Sequence, residues 1–261
     1  MVINMTHDTH NMTHMSSPIT KGVILAGGKG TRLHPLTRVT NKHLLPVYDR
    51  PMICYPIESL IRAGIKDILI VTGRGHAGHF VELLESGQAY GAHFSYAVQE
   101  EAGGIAQALQ LAESFVGAGK FIVLLGDNLF DYDLRPAMER FADSPKQASI
   151  FLKAVSDPRP YGVAVISNDK LVEIIEKPAA PTSNLAVIGL YLYDESVFSV
   201  ARELKPSGRG ELEITDVNNH YLRAGTLGYE ILDGWWGDSG ESFDSLVQAT
   251  LHMVQKKSVS S

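Results

Sequence analysis

Gly22-Val23-Ile24-Leu25-Ala26-Gly27-Gly28-Lys29-Gly30-Thr31-Arg32-Leu33 joins an unbroken apolar run to a cluster of glycines. An apolar run without alternation suits a strand covered on both faces. The glycines behind it let the backbone turn sharply and present N–H groups outward. Runs of the same kind recur at 67–71, 94–98, 121–125 and 149–155. Amphipathic segments lie between them, one starting at Pro51 and running through Ile57 and Leu60 to Gly64, another from His76 to Ser86 stopping at Gly87. That alternation predicts an α/β fold with a mostly parallel sheet between helical layers.

Beyond Val155 the rhythm changes. Runs at 163–167 and 171–176 flank Asn168-Asp169, a hairpin-like turn pair, and a third run covers 185–193. Helices are expected near 196–204, 213–224 and 243–254. No repeat and no linker rich in Pro, Gly or Ser marks a boundary, so 20–261 reads as a single domain with an inserted, smaller β-rich lobe in a mixed sheet. Residues 1–19 carry His7, His10 and His14 among Thr, Asn and Met, and are expected to be a disordered leader or non-native extension.

Composition narrows the function classes. The 261 residues are 44% hydrophobic and 20% charged, with a net charge of -6 and no Lys/Arg run, which argues against a nucleic-acid partner. The single cysteine, Cys54, cannot form an internal disulfide, so a reducing, cytoplasmic setting is expected. No stretch approaches the roughly 18 apolar residues of a spanning helix, so no membrane partner is expected.

The glycine cluster has the makings of an anion cradle. It lacks the Gly-Lys-Ser/Thr ending of a P-loop, and Leu33 stands where a dinucleotide fingerprint has its last glycine. Taken alone, a tight turn explains it as well as a ligand loop does. Arg32 and Lys42 add two cations nearby, enough to offset part of a triphosphate's charge. A lone aspartate after a strand, such as Asp127 in Leu124-Leu125-Gly126-Asp127-Asn128, is more often a helix cap than a ligand. His76 and His79 lie one helical turn apart without a third ligand, and packing is the expected use of Trp235 and Trp236.

With Asn41-Lys42-His43-Leu44-Leu45-Pro46-Val47 following, the glycine stretch resembles the signature of sugar-1-phosphate nucleotidyltransferases. The similarity runs from about Lys21 to about Ala249 and leans toward the thymidylyl-transferring, glucose-1-phosphate branch. It implies a Rossmann-like three-layer fold whose smaller lobe binds the sugar. The implied substrates are dTTP and glucose 1-phosphate, the products dTDP-glucose and pyrophosphate, the cofactor Mg²⁺, and the assembly a homo-oligomer.

The resemblance also assigns residues. Leu25, Gly27, Gly28, Gly30, Thr31 and Arg32 would cradle the nucleotide, and Gln99 and Gly104 would read its base, the Gln99 amide donating and accepting at once. Asn128, Tyr161, Gly162, Glu176, Lys177, Val187 and Arg209 would hold the sugar phosphate. Asp127 and Asp238, the latter in Gly234-Trp235-Trp236-Gly237-Asp238-Ser239-Gly240, would share the metal. Arg32, Lys42, Asp127, Lys177 and Asp238 form the implied catalytic set. His43 departs from the glutamine typical of thymidylyl-transferring members, and its charge is expected to vary around neutral pH. Longer relatives add C-terminal helices that contribute to an allosteric nucleotide site, which the resemblance leaves open here. Uridylyl or cytidylyl transfer, and a non-catalytic nucleotide-sugar sensor, are the competing readings.

Overall fold

The apolar runs at 22–25 and 121–125 become strands with both faces covered, whereas the run at 94–98 becomes a half-exposed strand at the sheet edge. In the computed structural model, which describes residues 17–259, the first half contains β1 (Lys21–Ala26), β2 (Pro46–Val47), β3 (Arg50–Pro51), α1 (Cys54–Arg62), β4 (Asp67–Gly73), α2 (Ala77–Leu84) and β5 (His93–Gln99). There follow α3 (Ile105–Gln110), α4 (Glu113–Val116), β6 (Phe121–Leu125), β7 (Asn128–Phe130), α5 (Leu134–Asp143) and β8 (Ala148–Ala154). The second half holds β9 (Gly162–Ser167), β10 (Lys170–Glu176), β11 (Leu185–Tyr193), α6 (Ser196–Glu203), α7 (Ile214–Arg223), β12 (Leu227–Ile231), β13 (Trp236–Asp238) and α8 (Phe243–Val259).

One nine-stranded sheet runs β10-β9-β11-β6-β1-β4-β5, with β8 and β12 branching from β11. Strands β6, β1, β4 and β5 are parallel. Successive residues of β1 point to opposite faces, as strand geometry requires. Val23 and Leu25 enter a core with Leu109, Val116, Phe198 and Tyr221 from α3, α4, α6 and α7, whereas Ile24 and Ala26 enter one with Ile57, Leu60, Phe80 and Phe141 from α1, α2 and α5. The result is three layers.

The inserted lobe is continuous with this sheet. The last residues of β11, Leu190 to Tyr193, pair antiparallel with β6, while its first, Leu185 to Val187, extend past the end of β6 and pair with β9. Hairpin β9–β10 turns at Asn168-Asp169, both at positive φ of 49° and 57°, and overhangs the carboxyl ends of the parallel strands.

Two boundaries and several elements differ from the sequence reading. Pro51 pairs with Pro46 in a two-stranded ladder, and Met52 and Ile53 continue that pairing to Leu45 and His43, so α1 starts only at Cys54. Ile19, assigned to the leader, is 7% exposed and packs in the core with Ile24 and Ile57, while residues 1–16 of that leader lie outside the described residues. The sequence reading places no helix at α3, α4 or α5, although Leu134, Ala137, Met138 and Phe141 form the buried face of α5. No helix among the described residues is long and apolar enough to cross a membrane.

Phe121 is fully buried and stacks on Phe198 with centroids 5.5 Å apart, joining β6 to α6. Phe121→Ala should lower the unfolding free energy by about 3–5 kcal/mol in urea titrations. Phe243→Ala, at a side chain 44% exposed, should change it by less than about 0.5 kcal/mol.

Candidate active site

The chain builds outward from β1 through β4 to β5 on one side and places β6 on the other, so the order reverses between β1 and β6. Crevices outside the carboxyl ends of strands at such a reversal are where open α/β sheets bind ligands. The glycine loop leaves β1 on one lip, and Gly126-Asp127 leaves β6 on the other. Gly126 N donates to Leu25 O at 2.9 Å and ties the lips together.

At this crevice the charges gather. Asp127 is 5% exposed, and Lys42 Nζ donates to its Oδ2. Strands β7 and β13 form a separate two-stranded ribbon in which Asn128 faces Asp238, and Ser239 N donates to Asp127 O at 2.9 Å. The ribbon thus sets Asp238 beside Asp127. Burial alone would raise the Asp127 carboxyl, but its neighbours, Lys42 first, together hold the acid below the usual carboxylate range. Asp238 moves the other way, to about 7, pushed first by burial and then by the Asp127 charge. Burial opposes the Lys42 ammonium as well, yet the two carboxylates overcome it and its net shift is upward. One lysine therefore serves two acids, and Asp238 is left short of positive charge.

Beside this trio lies a cavity of about 200 Å³ whose walls include Leu25, Gly27, Gly28, Gln99, Gly104 and Glu211. Gln99 ends β5, and the hydrogen bonds around it fix its orientation. Gln107 Oε1 accepts from Gly103 N at 3.0 Å, so Gln99 must turn its amide nitrogen toward Gln107, at 2.8 Å, and Gly104 O, at 3.1 Å. Among the described residues both donor hydrogens of the Gln99 amide have protein partners, and its carbonyl Oε1, over Gly27, has none, which differs from the expected amide that donates and accepts at once.

His43 also faces the cavity and is 1% exposed. Asn41 donates Nδ2 to Ala26 O at 3.2 Å and accepts from His43 N at 2.9 Å, so the 2.7 Å contact to its Oδ1 requires a proton on His43 Nδ1. Burial first, and then Lys42, lower the imidazole's pKa to about 3. His43 is neutral at physiological pH, contrary to the expectation of a charge that varies there.

On the other side of Asp127, hairpin β9–β10 supplies a second cluster. A Cβ on Gly162 would lie 3.0 Å from Thr215 Oγ1, 3.5 Å from Glu176 Oε2 and 3.7 Å from Val187 Cβ, so these four residues converge. Thr215 Oγ1 donates to Glu176 Oε2 at 2.5 Å. Lys177 adopts a left-handed φ of 43° just after β10, and its Nζ lies 3.7 Å from Glu176 Oε1. Strained non-glycine backbone of this kind persists only where its surroundings over-determine it. Tyr161 meets Trp236 edge to face at 5.3 Å.

The nucleotidyl transferase sequence pattern matches residues 21–256. The chain belongs to the nucleotidyl transferase family. It is 46% identical over 234 residues to the glucose-1-phosphate thymidylyltransferase of Mycolicibacterium smegmatis, covering 88% of this chain and 81% of that one. The Xanthomonas campestris pv. campestris (strain B100) protein of the same name is 48% identical over 225 residues, covering 84% and 76%. A Bacillus anthracis crystal structure described under that name, in complex with sucrose, superposes with a TM-score of 0.85 at 53% identity, covering 88% and 94%. A UDP-glucose pyrophosphorylase complexed with UDP-glucose reaches 0.78 at 26% identity, covering 91% and 99%.

Against this family background, several residues sit differently from the sequence reading. Asn128, expected at the sugar phosphate, is 2% exposed and internally bonded: its Oδ1 accepts from Gly189 N at 2.9 Å and Trp236 Nε1 at 2.8 Å, and its Nδ2 donates to Asp127 Oδ1 at 3.1 Å. It orients Asp127. Arg209, expected as a second phosphate cation, is enclosed by Glu176, Glu213 and Glu211 at 3.1, 2.7 and 3.6 Å. Arg32 is half exposed and paired with Glu241. Gly30 and Thr31 form an outer turn, apart from the cavity wall that Gly27 and Gly28 line. Glu211 and Glu241 were missed, because lone glutamates carry no signal until the fold supplies their neighbours.

Gly240 approaches closest of all. A Cβ there would lie 2.9 Å from Lys42 Nζ and would run into Asp127 Oδ2. Gly240→Ala should therefore cut turnover on the order of a hundredfold by displacing the trio, with an unchanged circular-dichroism spectrum.

Proposed function

We propose that this protein transfers the thymidylyl group of dTTP to α-D-glucose 1-phosphate, giving dTDP-glucose and pyrophosphate. The observation that carries the reading is the convergence of Asp127, Lys42 and Asp238 between the Gln99 cavity and the Glu176–Lys177 cluster. The 46–48% identity to glucose-1-phosphate thymidylyltransferases supports the choice of nucleotide and sugar.

In this reading the base enters the cavity against Gln99. A bare carbonyl acceptor suits the N3–H donor of thymine or uracil and repels the acceptor N3 of cytosine. Cytidylyl transfer is thereby disfavoured, and UTP is the competing nucleotide. Leu25, Gly27, Gly28 and Gly104 bring backbone close to the ligand, and Gly30, Thr31 and Arg32 close over the phosphates. The hexose lies over Gly162 and Val187, with Glu176 accepting from its hydroxyls, Tyr161 at its edge and Arg209 holding Glu176 in place. Lys177 grips the attacking phosphate.

A sugar-phosphate oxygen attacks the α-phosphorus in line. The new P–O bond forms as the bond to the β-phosphate breaks, and pyrophosphate leaves with the electron pair. The attacking oxygen is already anionic, so no general base is required, and the protein's task is to bring two anions together and stabilise the charge that develops. Lys42, Lys177 and Arg32 supply positive charge.

Asp127 and Asp238 fit a divalent cation, with Mg²⁺ the best match. Among the described residues no cluster of three or more His, Cys, Asp or Glu forms a metal cage, and Mg²⁺ characteristically takes one or two carboxylates together with substrate phosphates and waters. When bound, it would neutralise phosphate charge and relieve Asp238. A cytoplasmic location accords with the single reduced cysteine.

A pyrophosphate-release assay should give the highest kcat/KM with dTTP and glucose 1-phosphate, weaker turnover with UTP and little with CTP. In the same assay Asp127→Asn should lose at least about a thousandfold while keeping its fold. Wild-type turnover in that variant would remove the proposed site. The proton on Asp238 competes with the cation, and since its pKa is raised to about 7, Mn²⁺ binding without nucleotide should tighten between about pH 6 and about pH 8. A flat dependence would show that Asp238 is not a ligand.

A further inference from the structure

The ribbon that carries the two aspartates has three residues per strand, and a two-stranded ribbon of that length has little stability of its own. Something outside must hold it. Asp131, the first residue beyond β7, donates its backbone N–H to Trp235 O at 2.9 Å and so extends the ladder at the end away from Asp238. The Trp235 ring lies across Gly237, so close that a Cβ there would come within 2.7 Å of its Cζ2 and Cη2. The indole also stacks on His252 of α8, with centroids 3.9 Å apart and planes 8° from parallel. His252 Nε2 reaches back to Asp131 Oδ2 at 2.6 Å, and Lys256, one turn along α8, pairs with the other oxygen of the same carboxylate. The helix is itself anchored, since Ala249 and Met253 pack with Leu129 of β7, Val47 and Met52.

We propose that Trp235, His252 and Asp131 form a clamp through which α8 positions Asp238 against Asp127, so that they are positioning residues for the cation. The inference rests on the reading of Asp127 and Asp238 as a metal pair. Helix α8 holds His252, His252 holds both Asp131 and the Trp235 ring, and these two flank the ribbon whose far end is Asp238. Loosening the clamp lets Asp238 drift by fractions of an ångström while Asp127, fixed by Lys42 and Asn128, stays in place. The cation then loses one of two protein ligands, and the cavity that receives the nucleotide is untouched.

Mn²⁺ affinity measured by electron paramagnetic resonance, with a non-hydrolysable dTTP analogue present, tests this directly. His252→Ala and Asp131→Asn should each weaken Mn²⁺ on the order of tenfold, raise the half-saturating Mg²⁺ for pyrophosphate release by a similar factor, and leave KM for dTTP at saturating Mg²⁺ within about twofold. His252→Gln, whose amide can stack on Trp235 and donate to Asp131, should restore most of the affinity. Unchanged Mn²⁺ binding in His252→Ala, or a loss confined to thermal stability with the ion bound as before, would overturn the clamp. Asp238→Asn in parallel separates the two ideas: if it too binds Mn²⁺ as the wild type does, the metal pair itself is wrong, whereas a loss there beside a normal His252→Ala rejects the clamp alone.

Discussion

The Lys42–Asp127 pair, buried where β1 and β6 end and shadowed by a second carboxylate, is the constraint around which the molecule is arranged. Taking charges out of water costs several kcal/mol per ion and is returned only by close, well-oriented partners. Asp127 has these in Lys42 and Asn128, whereas Asp238 accepts from Gly240 N at 3.0 Å and shares the Lys42 ammonium with Asp127, so burial first and then the Asp127 charge raise its pKa. A site that is unfavourable by itself has to be imposed by the surrounding fold. The parallel register of β1 and β6 does this from one side, where two apolar cores fix both strands, and the ribbon with α8 does it from the other.

The Glu176–Lys177 cluster is linked to the Gln99 cavity by a short stretch of chain. Leu212 donates to Gly103 O at 2.8 Å and accepts from Ala106 N at 3.2 Å, which seats residues 211–213 along the Gly103-Gly104 turn. Glu211 faces the Gln99 cavity. Two residues on, Glu213 takes Arg209 at 2.7 Å, and Thr215 takes Glu176 at 2.5 Å. The cavity and the cluster are therefore joined through residues 211–215.

Much of this was legible in the residues. The runs at 22–25, 67–71, 94–98 and 121–125 became the parallel strands because continuous apolar sequence has few other uses in a chain of this composition, and the turn at Asn168-Asp169 followed from side chains that tolerate positive φ. The ribbon was not legible: three residues show no periodicity, and β13 exists only because β7 lies opposite. Helix α5 hid behind Pro136 and four charged residues among ten. At the site, sequence identified which groups are charged but not which neighbour each meets. Arg209 reads as a free cation until Glu176, folded in from 33 positions away, is seen beside it. Asn128 reads as a ligand because it follows Asp127, and only the approach of Gly189 and Trp236 shows its carbonyl to be taken.

Strand β11 explains why the two halves need no linker. A register irregularity between Val187 and Tyr191 lets one strand pair with β6 along its last residues and with β9 along its first. Gly189 sits in that irregular stretch, where a Cβ would run within 2.6 Å of Leu125 Cγ and 2.7 Å of Asn128 Cγ. The absence of a side chain there brings the end of β6 against β11 and lets the Gly189 N–H reach Asn128. The same backbone that carries Val187 to the Gly162 cluster thus orients Asn128 and, through it, Asp127. A hinge at this point would uncouple the Gly162 cluster from the acidic pair; a continuous strand holds both in one frame, which is what a reaction dependent on the meeting of two anions requires.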